Sequence, residues 1–173
     1  MDAADPEPSI AARIEPMRDS DWAQVEAIYR SGISTGNATF ETETPTWQEW
    51  DTRHHRFSRL VARAAANVLG WAALSPVSTR KVYAGVAEVS VYIAESARGH
   101  GLGNRLLQAL IESSEQNGIW TLQAGIFAEN VASIRLHEAC KFRVVGRRQR
   151  IGCLHGIWRD TVLMELRSST VGK

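Results

Sequence analysis

Cysteine is scarce in this chain of 173 residues: there are two, Cys140 and Cys153. Two thiols cannot build a disulfide framework, and neither has the company of ligands at zinc-site spacing. Each reads as a buried thiol in a reducing compartment. The histidines support no metal site either: His54 and His55 have no helix-spaced partner, and His100 and His155 have no evident ligand set. Missing too is any run of 18 or more apolar residues, which argues against a membrane-spanning helix. An excess of one charge is also absent. Twenty Lys and Arg stand against nineteen Asp and Glu, a net +1, so there is no field to grip a polyanion and nucleic acid is a poor candidate partner. Residues 1–12 are acidic, carry Pro6 and Pro8, and lack the basic start and apolar centre of a secretory signal. They are expected to form a flexible tail on a cytoplasmic protein. With no repeat and no low-complexity linker, the length suits one domain. It is expected over residues 13–167, with a short tail at 168–173.

Hydrophobic spacing predicts the elements. Residues 13–17 alternate as a first strand. Asp19 and Ser20 offer a cap for a helix whose apolar face is Trp22, Val25, Ile28 and Tyr29. Residues 32–40 read as a loop, and Thr44-Pro45 as the opening of a helix anchored by Trp47, Trp50 and Phe57. Strands are expected at 59–65 and 68–77, joined through Ala66-Asn67, and the strongest strand signal is VAEVSVYIA at 86–94. Leu102, Leu106, Leu107, Leu110 and Ile111 mark an amphipathic helix ending at Gly118. A strand at 120–127, a helix at 130–140 and strands at 142–149 and 157–166 complete the chain. Strands alternating with helices in the second half predict an α/β (α+β) fold on a mixed sheet. Most of the six tryptophans read as core or interface anchors.

Arg98-Gly99-His100-Gly101-Leu102-Gly103-Asn104 sits between the best strand and the best helix. Three alternating glycines let the backbone turn sharply and gather N–H groups at a helix N-terminus, a ready site for a phosphate or pyrophosphate. The spacing is neither the dinucleotide fingerprint G-x-G-x-x-G nor a Walker loop with its Lys-Ser/Thr pair. In the preceding strand, alternation puts Glu88, Ser90 and Tyr92 on one face and Val89, Val91 and Ile93 on the other. In the helix at 130–140, Asn130, Ile134 and His137 fall close together in angle, with Ser133 one turn before His137. Asn130 is also a strong N-cap.

Arg98-x-x-Gly101-x-Gly103 resembles the R-x-x-G-x-G/A pyrophosphate loop of the GCN5-related N-acetyltransferases. More narrowly, AEVSVYI at 87–93, ENVAS at 129–133 and LHEA at 136–139 are similar to the phosphinothricin and methionine sulfoximine/sulfone N-acetyltransferases, and the similarity runs over about residues 14–166. The resemblance implies a mixed central sheet of about seven strands with helices on both faces, and acetyl-CoA as co-substrate with no metal. It implies Glu88 as general base, directly or through water, since only a neutral amine attacks a thioester. It also implies a strand that splays from its neighbour, leaving Val91, Tyr92 and Ile93 to bind the thioester carbonyl and pantetheine arm, with the Val91 N–H as oxyanion donor.

The coenzyme site it implies comprises these three residues, Arg98, Gly99, His100, Gly101, Leu102, Gly103, Asn104, Asn130 and Ser133. His137 stands where many relatives carry a tyrosine, as acid, second base or pocket wall. Substrate contacts are implied at Glu88, Val89 and Ser90 and in the loop before that strand, at Ser78, Thr79 and Arg80. An arginine there suits a carboxylate, and Phe40 and Tyr92 are candidate walls. Trp158-Arg159-Asp160 resembles the family's Trp-His-Asp, with arginine for histidine.

The expected activity is direct acetyl transfer from acetyl-CoA to the α-amino group of phosphinothricin, methionine sulfoximine or methionine sulfone, by a homodimer. Herbicide resistance would be one outcome. Alternative acceptors are a protein N-terminus, a polyamine or an aminoglycoside, and the alternative class is a non-catalytic acyl-CoA sensor.

Overall fold

The computed structural model describes residues 10–173. Seven strands form one sheet: β1 (Arg13–Pro16), β2 (Leu60–Ala64), β3 (Asn67–Pro76), β4 (Val86–Ile93), β5 (Thr121–Phe127), β6 (Arg143–Leu154) and β7 (Ile157–Arg167), in the order β1-β2-β3-β4-β5-β7-β6. β4 and β5 run parallel and every other neighbouring pair is antiparallel. Four α-helices accompany them: α1 (Trp22–Ser34), α2 (Trp47–Arg53), α3 (Leu102–Gln116) and α4 (Val131–Ala139). The mixed seven-strand sheet expected from the sequence is present. No helix among the described residues is long and apolar enough to cross a membrane.

Helices cover both faces because the central strands are apolar on both. In β3, Ala72 and Leu74 join the cluster of Leu102, Leu106, Leu107 and Leu110 from α3, while Trp71 and Ala73 join Val25, Ile28 and Trp50 from α1 and α2. Each buried leucine contributes about 1.5–3 kcal/mol. The same alternation in β4 sends Val89, Val91 and Ile93 toward α3 and Tyr92 toward α1. Glu88 and Ser90 share the face of Tyr92.

Several boundaries differ from the expected ones, for local reasons. The Asp19–Asp21 segment is a 3-10 turn, and Asp21 accepts from Arg18 N and Arg63 Nη2 instead of capping α1. Helix α1 itself runs to Ser34, into the expected loop. Helix α2 starts at Trp47, two residues late, because Thr46 and Glu49 close a capping box. The β2–β3 turn is Ala65-Ala66, with Ala65 at φ +52°. β6 passes its expected end at 149 because Arg150, at φ +48°, takes a bulge and pairing resumes at Gly152. His155 and Gly156, both at positive φ, then make a two-residue hairpin turn. Cys140 is buried, which pushes its thiol pKa up, but Cys153 is exposed on the edge strand β6, against expectation.

Residues 1–9 of the expected tail lie outside the described residues. Ala12 is buried in the α3-side core, and its carbonyl accepts from Arg105. Packing therefore begins before residue 13. At the other end, Arg167 donates to the carbonyls of Trp120, Ser168, Val171 and Gly172, holding the last residues against the body.

His54, capping the end of α2, stacks on Trp50 at 4.2 Å and bonds the Trp50 carbonyl through Nδ1 at 2.7 Å. Burial, with Arg59 and Arg53 nearby, lowers its pKa from 6.5 to about 4. Between those values the folded protein binds fewer protons than the unfolded chain, so stability must fall as pH drops through that window. The thermal midpoint should decline between pH 6.5 and 4.5, and His54→Gln should flatten that decline. An equal slope in the variant would show that other groups carry it.

Candidate active site

β4 and β5 are paired over three positions, Val86↔Thr121, Ala87↔Leu122 and Glu88↔Gln123. β4 then continues to Ile93 and β5 to Phe127 with no further pairing between them, while β3 stays paired with β4 as far as Ile93. The sheet is open here as a wedge with Glu88 at its apex. Ala94 N donates to Leu69 O. By antiparallel alternation, the main-chain groups of Tyr92, Ser90 and Glu88 face β3, and those of Val89, Val91 and Ile93 face the wedge. Arg98 Nε reaches Ile93 O from that side at 3.4 Å.

A cavity of about 700 Å³ occupies the wedge. Glu88 to Ile93 form one wall, and Ala124 to Phe127 the other. Arg98, Gly99, Gly101, Leu102 and Gly103 close one end, and Asn130, Ser133 and His137 come from α4. Phe40 and its loop, from Asn37 to Glu41, close the opposite side. Five of the expected site residues do not line it: His100, Asn104, Ser78, Thr79 and Arg80. Asn104 instead donates toward Cys140 Sγ at 3.5 Å. Ser78 Oγ accepts from Arg80 N, and the Arg80 guanidinium lies 5.5 Å from the Tyr83 ring centroid.

The three glycines of the loop act differently. Gly99 and Gly101 sit at φ +83° and +75° with open space around them, so the backbone conformation is what requires glycine. Gly101 is also the N-cap of α3 and provides no side-chain acceptor, so the first N–H groups of the helix are left for an anion. At Gly103, a Cβ would meet Leu136 of α4 at 3.2 Å, so glycine lets the two helices approach.

Glu88 Oε2 accepts from Gln123 Nε2 at 3.1 Å, across the last paired position. His137 is buried, and burial lowers its pKa. Its Nδ1 donates to Ser133 O at 2.8 Å, which fixes the neutral tautomer with an acceptor at Nε2, and Nε2 has no protein partner among the described residues. Tyr92 stacks on Trp71 at 4.8 Å and lies 4.9 Å from the Tyr29 ring, and burial pushes its phenol pKa far up. No group of three or more possible ligand side chains forms a metal site among the described residues.

Sequence reading named Asn130 and Arg159 but missed that they hold the Phe40 loop. Arg159 donates to Gly36 O at 2.8 Å, Asn37 Oδ1 at 2.9 Å and Glu129 Oε2 at 3.2 Å, and its guanidinium lies 4.1 Å from the Phe127 ring centroid. Asn130 caps α4 by accepting from Ser133 N, and donates to Asn37 O at 3.0 Å. Phe40 meets Phe127 edge-on at 4.6 Å and lies over Gly152, where a Cβ would be 2.6 Å from its ring. The usable signal was Arg159 itself, standing where the resembled segment has histidine.

The profile of the acetyltransferase (GNAT) family matches residues 20–142. The chain belongs to that family. It is 35% identical over 164 residues to an L-methionine sulfoximine/L-methionine sulfone acetyltransferase of Pseudomonas aeruginosa, covering 91% of this chain and 95% of that protein. It is also 35% identical over 162 residues to a phosphinothricin N-acetyltransferase of Alcaligenes faecalis, covering 90% and 82%. Among solved structures, a GNAT superfamily phosphinothricin acetyltransferase from Sinorhizobium meliloti in complex with AcCoA superposes with a TM-score of 0.83 at 29% identity, covering 91% of this chain and 89% of that one. The protein is an acetyltransferase.

Hydrogen bonds to a charged donor contribute about 1.5–3 kcal/mol, equivalent to tenfold or more in local opening. Arg159→Ala should therefore raise amide hydrogen exchange across residues 36–41 at least about tenfold while α3 stays protected. Unchanged exchange in the loop would mean that Phe40 and Asn130 suffice to hold it.

Proposed function

We propose that this acetyltransferase moves acetyl from acetyl-CoA to the α-amino group of phosphinothricin-like amino acids, namely phosphinothricin, methionine sulfoximine and methionine sulfone, and that it works as a cytoplasmic homodimer. The observation that carries this reading is the open edge of β4, bounded by an uncapped helix N-terminus at one end and a carboxylate at the other.

Acetyl-CoA supplies an activated acyl thioester. Its pyrophosphate suits the N–H groups that Gly99 and Gly101 turn outward at the start of α3, with Arg98 beside them. Its amide-bearing arm suits the main-chain groups of Val89, Val91 and Ile93, which pair with an extended ligand as an added strand would. The Val91 N–H is the donor for charge developing on the thioester oxygen. Glu88, oriented by Gln123, takes a proton from the substrate ammonium so that the neutral amine can attack. Neutral His137 offers Nε2 as an acceptor on the α4 wall. Dimerisation is supported by apolar side chains exposed on the β6–β7 hairpin, above all Ile157 at 64% and Trp158 at 61%.

Acetyl-CoA-dependent thiol release tests the reading against phosphinothricin, methionine sulfoximine, methionine sulfone, methionine, spermidine, kanamycin and a short peptide. Turnover should be confined to the first three, and Glu88→Gln should lower it about 10²–10⁴-fold. Turnover of spermidine, kanamycin or peptide alone would overturn the acceptor assignment. Coenzyme binding without any turnover would point to a sensor. Sedimentation should give twice the chain mass, and Trp158→Glu should shift it toward the monomer; an unshifted dimer would place the interface elsewhere.

A further inference from the structure

We propose that Arg148 binds the acceptor's α-carboxylate and so selects amino acids over plain amines. This rests on the acceptor reading above. A Cβ placed on Gly125 would lie 3.3 Å from Arg148 Nη2 and 3.7 Å from Glu88 Oε1. Those two distances meet at one point, so the guanidinium nitrogen and the carboxylate oxygen are no more than about 7 Å apart.

The sheet register explains how a residue of the edge strand reaches this far. Arg148 of β6 pairs with Thr161 of β7, which pairs with Phe127 of β5, two residues beyond Gly125. Arg148 extends its side chain across β7, and the bare backbone of Gly125 leaves room for the guanidinium. Gly125 and Glu88 both line the cavity, and Arg148, which does not line it itself, approaches it from outside across the Gly125 position.

Three neighbouring arginines are matched: Arg143 with Glu165, Arg147 with Asp160 and Arg159 with Glu129. The side chains of Arg148 and Arg150 have no carboxylate partner among the described residues, and it is Arg148 that lies near Glu88. Of the other candidate cations, Arg98 is engaged with Ile93 O beside the glycine loop, and Arg80 is turned onto Tyr83 away from the cavity.

The spacing fits the ligand chemistry. In an α-amino acid, nitrogen and carboxylate oxygen lie about 3 Å apart across two carbons. With a charge-assisted hydrogen bond of about 2.8 Å at each end, such a molecule bridges Glu88 and Arg148 along a bent path. Glu88 would receive the ammonium and Arg148 the carboxylate in a two-pronged grip. An amine lacking the carboxylate would leave the guanidinium without its counter-charge.

The test compares kcat/KM for methionine sulfone and for its carboxamide, in the wild-type protein and in Arg148→Gln. The wild type should strongly prefer the acid. The variant should lose about 10–100-fold on the acid, the equivalent of one charged hydrogen-bonded contact, and little on the amide, with KM for acetyl-CoA unchanged. Arg148→Lys, keeping the charge without the fork, should recover part of the preference. Retention of the acid preference in Arg148→Gln, or equal loss on both substrates at an unchanged thermal midpoint, would overturn the assignment while leaving the proposed function standing. A wild-type protein that acetylates amines but no α-amino acid would overturn the acceptor reading, and this inference with it.

Discussion

The parting of β4 from β5 beyond Glu88 is the constraint on which the site depends. A central strand that loses its neighbour leaves main-chain donors and acceptors unpaired, and buried groups of that kind are costly. The fold tolerates the gap because each side is held independently. β4 remains paired with β3 to its end, and β5 with β7 throughout. The unpaired groups thus become a rigid template, complementary to an extended ligand that carries amides of its own.

Three contacts fix the shape of the wedge. At one end, Gly103 lets α3 and α4 close to within contact of Leu136, so the N-termini of both helices border the cavity. At the apex, the last paired position joins Glu88 to Gln123, and the carboxylate is held by two strands rather than by a loop. Across the opening, Arg159 and Asn130 hold Asn37 by its side chain and its carbonyl. Asn130 also caps α4, so one side chain joins that helix to the loop at 37–41 across the cavity.

The parts legible in the sequence are those that local chemistry determines. The R-x-x-G-x-G run had to be a turn into a helix, because Gly99 and Gly101 adopt positive φ there. The alternation of β4 had to send Glu88, Ser90 and Tyr92 to one face. The leucine stripe of α3 had to be core. The unread parts are set by residues far apart in the chain. The separation of two strands has no local signature, since β4 and β5 both look like ordinary apolar strands. Arg159 and Arg148 look like solvated arginines until register brings one onto the loop at 36–37 and the other over Gly125. The basic loop at 78–80 shows the converse: its composition suited a carboxylate, but the short 3-10 turn at Lys81–Tyr83 brings the Tyr83 ring under the Arg80 guanidinium. The expectation for Cys153 fails because β6 is an edge strand exposed along nearly all of its length.

This division separates what the fold keeps from what it can vary. The end proposed for the coenzyme consists of main-chain groups on a helix N-terminus and a strand edge, so its geometry follows from backbone conformation and a few glycines. The end proposed for the acceptor consists of side chains on a loop and on an edge strand, elements that accept substitution without disturbing the core. Relatives at the same 35% identity carry names with different acceptors, methionine sulfoximine or sulfone in one and phosphinothricin in the other. Under the proposed function, a base at the wedge apex would serve any such amine whose nitrogen arrives at the same point. Selectivity would then reside in the grip on the rest of the molecule, on the loop that Arg159 holds and on the strand that carries Arg148.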